Sequence, residues 1–279
     1  MLTDKKVCFV GAGAMAEAVL AGMLNKRIVK PGAVSITNRS DRFRLDELVY
    51  NFGIVADADL KEQSIREADI LILAMKPKDV AVAINEIKAL THSGQLIISV
   101  IAGITTDFIS NQLGHNAPVI RTMPNTSATI GLSATGICKG AYANDQHVAI
   151  AQYIFESIGM VALVEEHQLD AVTGLSGSGP AYIYYLVEAL QAGAVQAGLD
   201  EQVSRELILQ TLIGAAHMLK ETGEDPATLR EKVTSPNGTT QAGLDMLRSF
   251  DFEKALISCV LRATERSKEL GAILSETKS

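Results

Sequence analysis

The chain has 279 residues, of which 47% are hydrophobic and 20% charged, and its formal net charge is −7. This length accommodates two domains better than one large core, and the hydrophobic fraction excludes a disordered chain. An acidic balance without a basic face argues against nucleic acid as a partner. No apolar run reaches the roughly 18 residues of a membrane helix. Because the N-terminal segment lacks a targeting pattern, we expect a cytoplasmic protein.

The first part of the chain alternates predicted strands with predicted helices. Apolar runs predict strands at 5–10, 34–37, 69–74 and 95–100, and helical spacing follows each of them, at 14–26, 41–51, 78–90 and 105–113. Further strands are predicted near 118–122, 133–138 and 159–164, with a helix at 144–157. Such alternation predicts a parallel sheet covered by helices on both faces.

The pattern changes after about Glu165. Strand-like runs stop, and long helical segments follow at 167–198, 200–222, 226–233, 239–249 and 251–275. We therefore predict an α/β Rossmann-type N-terminal domain at 1–164 and an all-α C-terminal domain at 165–279.

A glycine-rich turn connects the first predicted strand to the first predicted helix. It comprises Gly11, Ala12, Gly13, Ala14 and Met15, followed by Ala16. In a dinucleotide-binding turn the first Gly allows a tight bend, the second allows backbone to approach a pyrophosphate, and a small third residue lets helix and strand pack closely. The free N–H groups of the helix start then favour the anion. The context predicts dinucleotide binding over a simple tight turn.

The tip of the second strand selects the nucleotide. NAD-binding proteins place a carboxylate there for the ribose hydroxyls, whereas NADP-binding proteins place a cation near the 2′-phosphate. This chain has Asn38, Arg39 and Ser40 at that position, which favours NADPH, with NADH as a weaker alternative. The competing interpretation is a solvated Arg39 at the start of a polar helix, and the neighbouring Asp41 counts in its favour.

Two further turns follow buried strands and are expected at the ligand-binding edge of the sheet. Ala74, Met75, Lys76 and Pro77 form the first, where Lys76 suits a ribose or phosphate contact better than acid catalysis. In the second, Asn125 could contact the nicotinamide or the substrate. A turn stabilised by the Asn125 side chain itself is an equally good interpretation.

Three stretches together carry a family resemblance. They are the turn at 11–16, the glycine-rich segment 173–182 and the Ser/Thr-Gly segment 233–240. Together they resemble pyrroline-5-carboxylate reductases over essentially the whole chain. The resemblance implies hydride transfer from NADPH to the cyclic imine pyrroline-5-carboxylate to give L-proline. It also implies a homodimer or higher homo-oligomer formed through the helical domain. Asn237 departs from the Gly that is usual in the family, but Asn also tolerates left-handed backbone.

The third stretch is the candidate substrate site. Ser235, Gly238, Thr239 and Thr240 lie where a polar loop starts a helix, and such a start binds carboxylates through its free N–H groups. An ordinary Ser/Thr helix cap explains the same residues equally well. The resemblance favours substrate binding, with Thr240 as the candidate catalytic residue.

Two other functions share parts of this pattern. Related 3-hydroxy acid dehydrogenases carry a Lys as proton donor four residues beyond the last Gly of a similar helix, and an Asn four residues further on. This chain has Ile183 and Val187 there, which fits an imine, since an imine can arrive already protonated. A non-catalytic NADP-sensing regulator is the second alternative. The scattered Cys and His residues show no metal-binding spacing, and we expect no metal.

Overall fold

The computed structural model describes residues 2–56 and 60–276. In that part of the chain the strands form one sheet in the order β2-β1-β3-β4-β5-β6-β7. The strands are β1 (Val7–Val10), β2 (Val34–Thr37), β3 (Ile70–Leu73), β4 (Leu96–Ser99), β5 (Val119–Met123), β6 (Ser133–Lys139) and β7 (Gly159–Leu163).

Helices follow the strands and then replace them. The first group is α1 (Ala14–Asn25), α2 (Arg42–Phe52), α3 (Lys61–Glu67), α4 (Val80–Ile87), α5 (Thr106–Leu113) and α6 (Asp145–Phe155). The second group is α7 (Leu169–Val172), a π-helix (Thr173–Gly177), α8 (Gly179–Gln196), α9 (Glu201–Thr222), α10 (Pro226–Lys232), α11 (Thr239–Ser249) and α12 (Phe252–Glu276). The predicted α/β Rossmann-type region followed by an all-α region is confirmed. Helix α3 was not predicted, because it is short and buries only Ile65. None of the described helices is long and apolar enough to cross a membrane.

The sheet is not wholly parallel. The five strands from β2 to β5 run parallel, but β6 is antiparallel to β5, and β7 is parallel to β6. The prediction of a parallel sheet is therefore wrong for the last two strands. Only a short 3₁₀ helix, Thr126–Ile130, separates β5 from β6. A return to a parallel strand needs a crossover of about a dozen residues or more, which this link is too short to provide.

Both faces of the sheet are buried, as the apolar strands predict. Val7 and Phe9 belong to the core on one face, and Cys8 and Val10 belong to the core on the other. Burial raises the pKa of the Cys8 thiol to about 11 and that of Cys138 to about 12. Both thiols are therefore protonated packing groups at neutral pH.

The chain divides into two compact units. The first unit runs to Ser178 and includes the chain from Leu261 on, while the second unit is Gly179–Val260. The division at 164/165 that the sequence predicts concerns the roles of the two parts of the chain and stays a prediction. Two contacts explain why the first unit extends further. The hydroxyl of Ser267 on α12 donates to Asp170 at 2.7 Å, and Gly271 lies in backbone contact with Gly103.

The second unit has no apolar interior of its own. Among residues 179–260, all of which the structure describes, no hydrophobic side chain is buried. Large apolar side chains stand exposed on several of its helices, including Tyr185 (74%), Leu207 (54%) and Ile257 (53%). Helices with apolar residues on more than one face need a further apolar surface to cover them.

Candidate functional site

The carboxyl ends of β1, β2 and β3 meet at Gly11. Its N–H donates to the carbonyl of Thr37 at 2.8 Å. Its φ of +112° is one that side chains rarely adopt, and a Cβ there would lie 2.5 Å from the carbonyl oxygen of Ala74 and 2.9 Å from the nitrogen of Met75. Both the conformation and the space therefore require Gly. The structure thus brings two of the sequence-predicted turns into contact.

The start of α1 provides an open anion site. The first bond of the helix joins the N–H of Glu17 to the carbonyl of Gly13 at 3.0 Å, so the N–H groups of Ala14, Met15 and Ala16 have no partner within the helix. Gly13 precedes the helix without a side chain to cap it, and no atom lies within 4 Å of where its Cβ would be. This cradle fits the pyrophosphate of a dinucleotide.

Arg44 supports the same turn from α2, and sequence reasoning missed it. Its Nε donates to the carbonyl of Ala12 at 3.1 Å, and its guanidinium pairs with Glu17 and with Glu47. The hydrogen bond that Arg44 donates to the Glu17 carboxylate raises the pKa of Arg44 further above its ordinary value. Arg44 therefore neutralises an acid in the first turn of α1 that would otherwise oppose an anion. No sequence pattern links Arg44 to Glu17, because 27 residues separate them.

Several cations surround the tip of β2. Arg39, Ser40, Arg42 and Lys61 line one pocket, and Arg39 and Lys61 also line the adjoining groove that contains Gly11. Arg39 is exposed and makes no hydrogen bond or ion pair within the described residues. Lys61 lies 3.8 Å from Glu86 and opens α3, the helix that the sequence did not predict.

Two polar side chains at this tip, Asp41 and Asn38, have hydrogen-bond partners, and Asn38 keeps a second amide hydrogen to donate. The carboxylate of Asp41 caps α2 by accepting from the N–H of Arg44 at 2.9 Å, and the amide of Asn38 donates to the carbonyl of Asp41 at 2.6 Å. The Asp41 carboxylate, which favoured the interpretation without phosphate, is thus accounted for by its role as the cap of α2. Lys76 is exposed and directly precedes the 3₁₀ helix that begins at Pro77. It also directly follows Ala74 and Met75, whose backbone contacts Gly11.

Asn125 lies at the end of β5 and is 8% exposed. Its side-chain oxygen accepts from the N–H of Ser127 at 3.1 Å, which is the turn-stabilising role that the sequence allowed. Its side-chain amide donates to the carbonyl of Ser176 at 3.0 Å, a contact that no sequence pattern suggested. Asn125 therefore joins the β5 turn to the π-helix.

The Ser/Thr-Gly loop lies in the second unit. Asn237 has a φ of +61°, so the left-handed backbone expected at this departure from the family pattern is confirmed. Gly238 is the N-cap of α11 and offers no side chain to the first turn. The side chains of Ser235, Thr239 and Thr240 are exposed and make no hydrogen bond within the part of the chain that the structure describes. Three hydroxyls and the free N–H groups of a helix start are thus available to a carboxylate.

The class of protein that emerges has a Rossmann-type sheet whose edge fits a dinucleotide, and a helical unit with a loop whose free donors suit an anion. No group of three or more potential metal ligands occurs among the described residues.

Comparison with known proteins identifies the family. A model for pyrroline-5-carboxylate reductase dimerisation matches residues 166–270, and a model for coenzyme F420-dependent NADP oxidoreductase matches residues 6–103. Pyrroline-5-carboxylate reductase 1 of Bacillus subtilis is 45% identical over 274 residues, which cover 98% of this chain and 92% of that protein. The chain belongs to the pyrroline-5-carboxylate reductase family.

Solved structures agree with this assignment. A pyrroline-5-carboxylate reductase from Coxiella burnetii superimposes with a TM-score of 0.87 at 34% identity, covering 95% of this chain and 98% of that one. The pyrroline carboxylate reductase of Plasmodium falciparum, solved with NADP bound, gives a TM-score of 0.86 at 29% identity, with 96% and 98% covered. The family predicted from the three motifs is thus confirmed.

Proposed function

We propose that this protein reduces pyrroline-5-carboxylate to L-proline with NADPH, the final step of proline biosynthesis. The observation that carries the proposal is the loop Ser235–Thr240, whose unpaired hydroxyls and open helix start suit a small carboxylate, in a chain of this family. A hydride added to C5 of the protonated C=N bond gives the secondary amine directly. The protein's groups need only bind, orient and neutralise.

The cofactor is proposed to bind at the sheet edge of the first unit. Gly11–Met15 would hold the pyrophosphate by backbone N–H groups, and Arg39 with Asn38 and Ser40 would hold the 2′-phosphate. Arg42 and Lys61 add two further cations to that pocket. The turn Ala74–Pro77 would contact the ribose and phosphates. NADPH supplies the hydride. NADH would bind more weakly because it lacks the 2′-phosphate that would pair with Arg39.

The substrate is proposed to bind at the loop of the second unit. Its carboxylate would accept hydrogen bonds from the first-turn N–H groups of α11 and from the hydroxyls of Ser235 and Thr239. The hydroxyl of Thr240 would reach the carboxylate or the ring nitrogen, which makes it the catalytic residue of the proposal. Gly238 keeps the approach open, since a Cβ there would press on the Ser235 side chain and lie 3.1 Å from the Ser235 carbonyl oxygen.

The two parts of the chain then divide the work. Residues 1–164 would bind NADP and residues 165–279 would bind substrate and form the dimer. Self-association is supported by the dimerisation model over 166–270 and by a helical unit without buried hydrophobic side chains. We propose a homodimer or a higher oligomer that works in the cytoplasm.

A 3-hydroxy acid dehydrogenase is disfavoured by side-chain chemistry. Oxidation of an alcohol needs a group that moves the hydroxyl proton. Ile183 and Val187, on α8 where that family carries Lys and Asn, have no such group. A regulator that only senses NADP would have no use for the donor-rich loop at 235–240.

A direct assay tests the proposal. Purified protein is mixed with NADPH and pyrroline-5-carboxylate, and the loss of NADPH absorbance is followed with proline formation as a second readout. We expect turnover with the imine, slower turnover with NADH at equal concentration, and none with a 3-hydroxy acid and NAD. Nucleotide binding without turnover would favour the sensor, and oxidation of a 3-hydroxy acid would favour the dehydrogenase.

A further inference from the structure

Pro180 removes one hydrogen-bond donor from the glycine-rich helix. The chain runs from α7 through the π-helix and the single residue Ser178 into α8, and Pro180 is the second residue of α8. Ser176 lies in the π-helix, but in the α-helical register that α8 resumes its carbonyl would accept from the N–H four residues later. That residue is Pro180, which has no N–H. The Ser176 carbonyl therefore needs a donor from another part of the protein.

Asn125 supplies this donor from the sheet. Its Nδ2 lies 3.0 Å from the Ser176 carbonyl oxygen. The Asn125 side chain is held from the other end, because its oxygen accepts from the N–H of Ser127. Its backbone N–H donates to the hydroxyl of Ser133 at 3.1 Å, which fixes the main chain as well. A buried amide held at both ends has little freedom to move away from Ser176.

The π-helix is in tight contact with the sheet at the end of β5. A Cβ on Gly177 would lie 2.8 Å from the Cε of Met123, the last residue of β5. The carboxyl ends of the parallel strands are the edge where dinucleotides bind, and the adenosine half is selected at the tip of β2. The nicotinamide half would then extend along the edge in the other direction, toward β4 and β5. π-Helical turns inside α-helices occur frequently at functional sites.

We propose that Asn125 is a positioning residue for hydride transfer. It replaces the missing N–H of Pro180 and so holds the π-helix in place at the reacting end of the cofactor site. This inference rests on the proposed reductase function. It differs from the direct cofactor contact that the sequence allowed, because here Asn125 acts through the Ser176 carbonyl.

A double-mutant cycle tests the inference. In Asn125→Ala we expect kcat to fall about tenfold, since a partly buried carbonyl loses its donor, while the Kd of NADPH changes less than about twofold. Pro180→Ala restores the N–H that the α-helical register directs toward the Ser176 carbonyl. In the Pro180→Ala background, Asn125→Ala should therefore lower kcat less than about threefold relative to Pro180→Ala alone. The unfolding temperature should show the same rescue.

Two variants control the measurement. Asn125→Asp keeps an oxygen that can accept from Ser127, but it replaces the amide donor by a second acceptor and adds a negative charge, so its kcat should fall at least as far as that of Asn125→Ala. Asn144 caps α6 in the same way that Asn125 caps its own turn, and its oxygen accepts from the N–H of His147 at 3.0 Å. Asn144→Ala should lower the unfolding temperature without a change in kcat, and Pro180→Ala should not rescue it.

The outcomes are distinguishable. Equal losses of kcat in both backgrounds would overturn the inference, and a raised Kd for NADPH with unchanged kcat would show a direct cofactor contact. Loss of stability without loss of kcat would show that Asn125 has only a structural role, and this result would also overturn the inference. Inactivity of the parent protein on the imine would refute the proposed function instead. The rescue in unfolding temperature would still show whether Asn125 serves the Ser176 carbonyl.

Discussion

Thr240→Val offers a clean test of how the substrate is held. Valine matches threonine in shape and removes only the hydroxyl. In the structure that hydroxyl is exposed and has no partner within the described residues, so its loss should leave the free energy of unfolding within about 0.5 kcal/mol of the parent. The substitution should then change only the kinetics of the reaction with the substrate.

The expected size follows from the chemistry of the contact. A hydrogen bond to a charged group contributes about 1.5–3 kcal/mol. Its loss should lower kcat/KM for pyrroline-5-carboxylate by roughly tenfold to a hundredfold. The Kd of NADPH should not change, because the cofactor is proposed to bind at the sheet edge of the first unit.

The assay is steady-state loss of NADPH over a range of imine concentrations, with the Kd of NADPH measured separately by fluorescence. Thr228→Val is the matched control, because Thr228 is an exposed threonine on α10 outside the loop. It should behave like the parent. If Thr240→Val weakened NADPH binding as much as imine turnover, the loop would belong to the cofactor site and the proposed division would be wrong.

Three further outcomes are expected. Arg39→Asp should weaken the binding of NADPH roughly tenfold to a hundredfold and leave the binding of NADH nearly unchanged. Lys61→Ala should act in the same direction. If the ratio of the Kd values for NADPH and NADH did not change, these residues would not select the nucleotide. Arg44→Met should weaken the binding of NADPH and NADH alike, by about threefold to tenfold, because Glu17 is then left unpaired beside the pyrophosphate site. Adding Glu17→Gln should restore the binding. If it did not, the charge of Glu17 would not be the cause of the loss. Sedimentation at micromolar concentration should show a dimer or larger species, and a stable, active monomer would contradict the proposed role of the helical unit.

Local sequence determined the parts of the site that are contiguous. The turn from Gly11 to Met15 and the loop from Ser235 to Thr240 were recognised because a few adjacent residues dictate a backbone shape. Gly11 shows the φ of +112° and the close approach to Ala74 that such a turn requires, and Asn237 takes the left-handed conformation expected of it. The alternation of strands and helices likewise predicted the fold class, since it follows from which residues each segment buries.

Tertiary structure decided what depends on partners distant in the chain. The pairing of Arg44 with Glu17, the approach of Lys61 to the β2 pocket and the bond from Asn125 to Ser176 each join segments that have no pattern in common. The reversal of β6 accompanies the short link after β5, and an apolar strand pattern does not by itself show the direction in which a strand runs. The end of α12 belongs to the first unit, where Ser267 donates to Asp170 and Gly271 contacts Gly103. Periodicity reports which face of a segment is buried, whereas the identity of the group across that face is set only when the chain is packed.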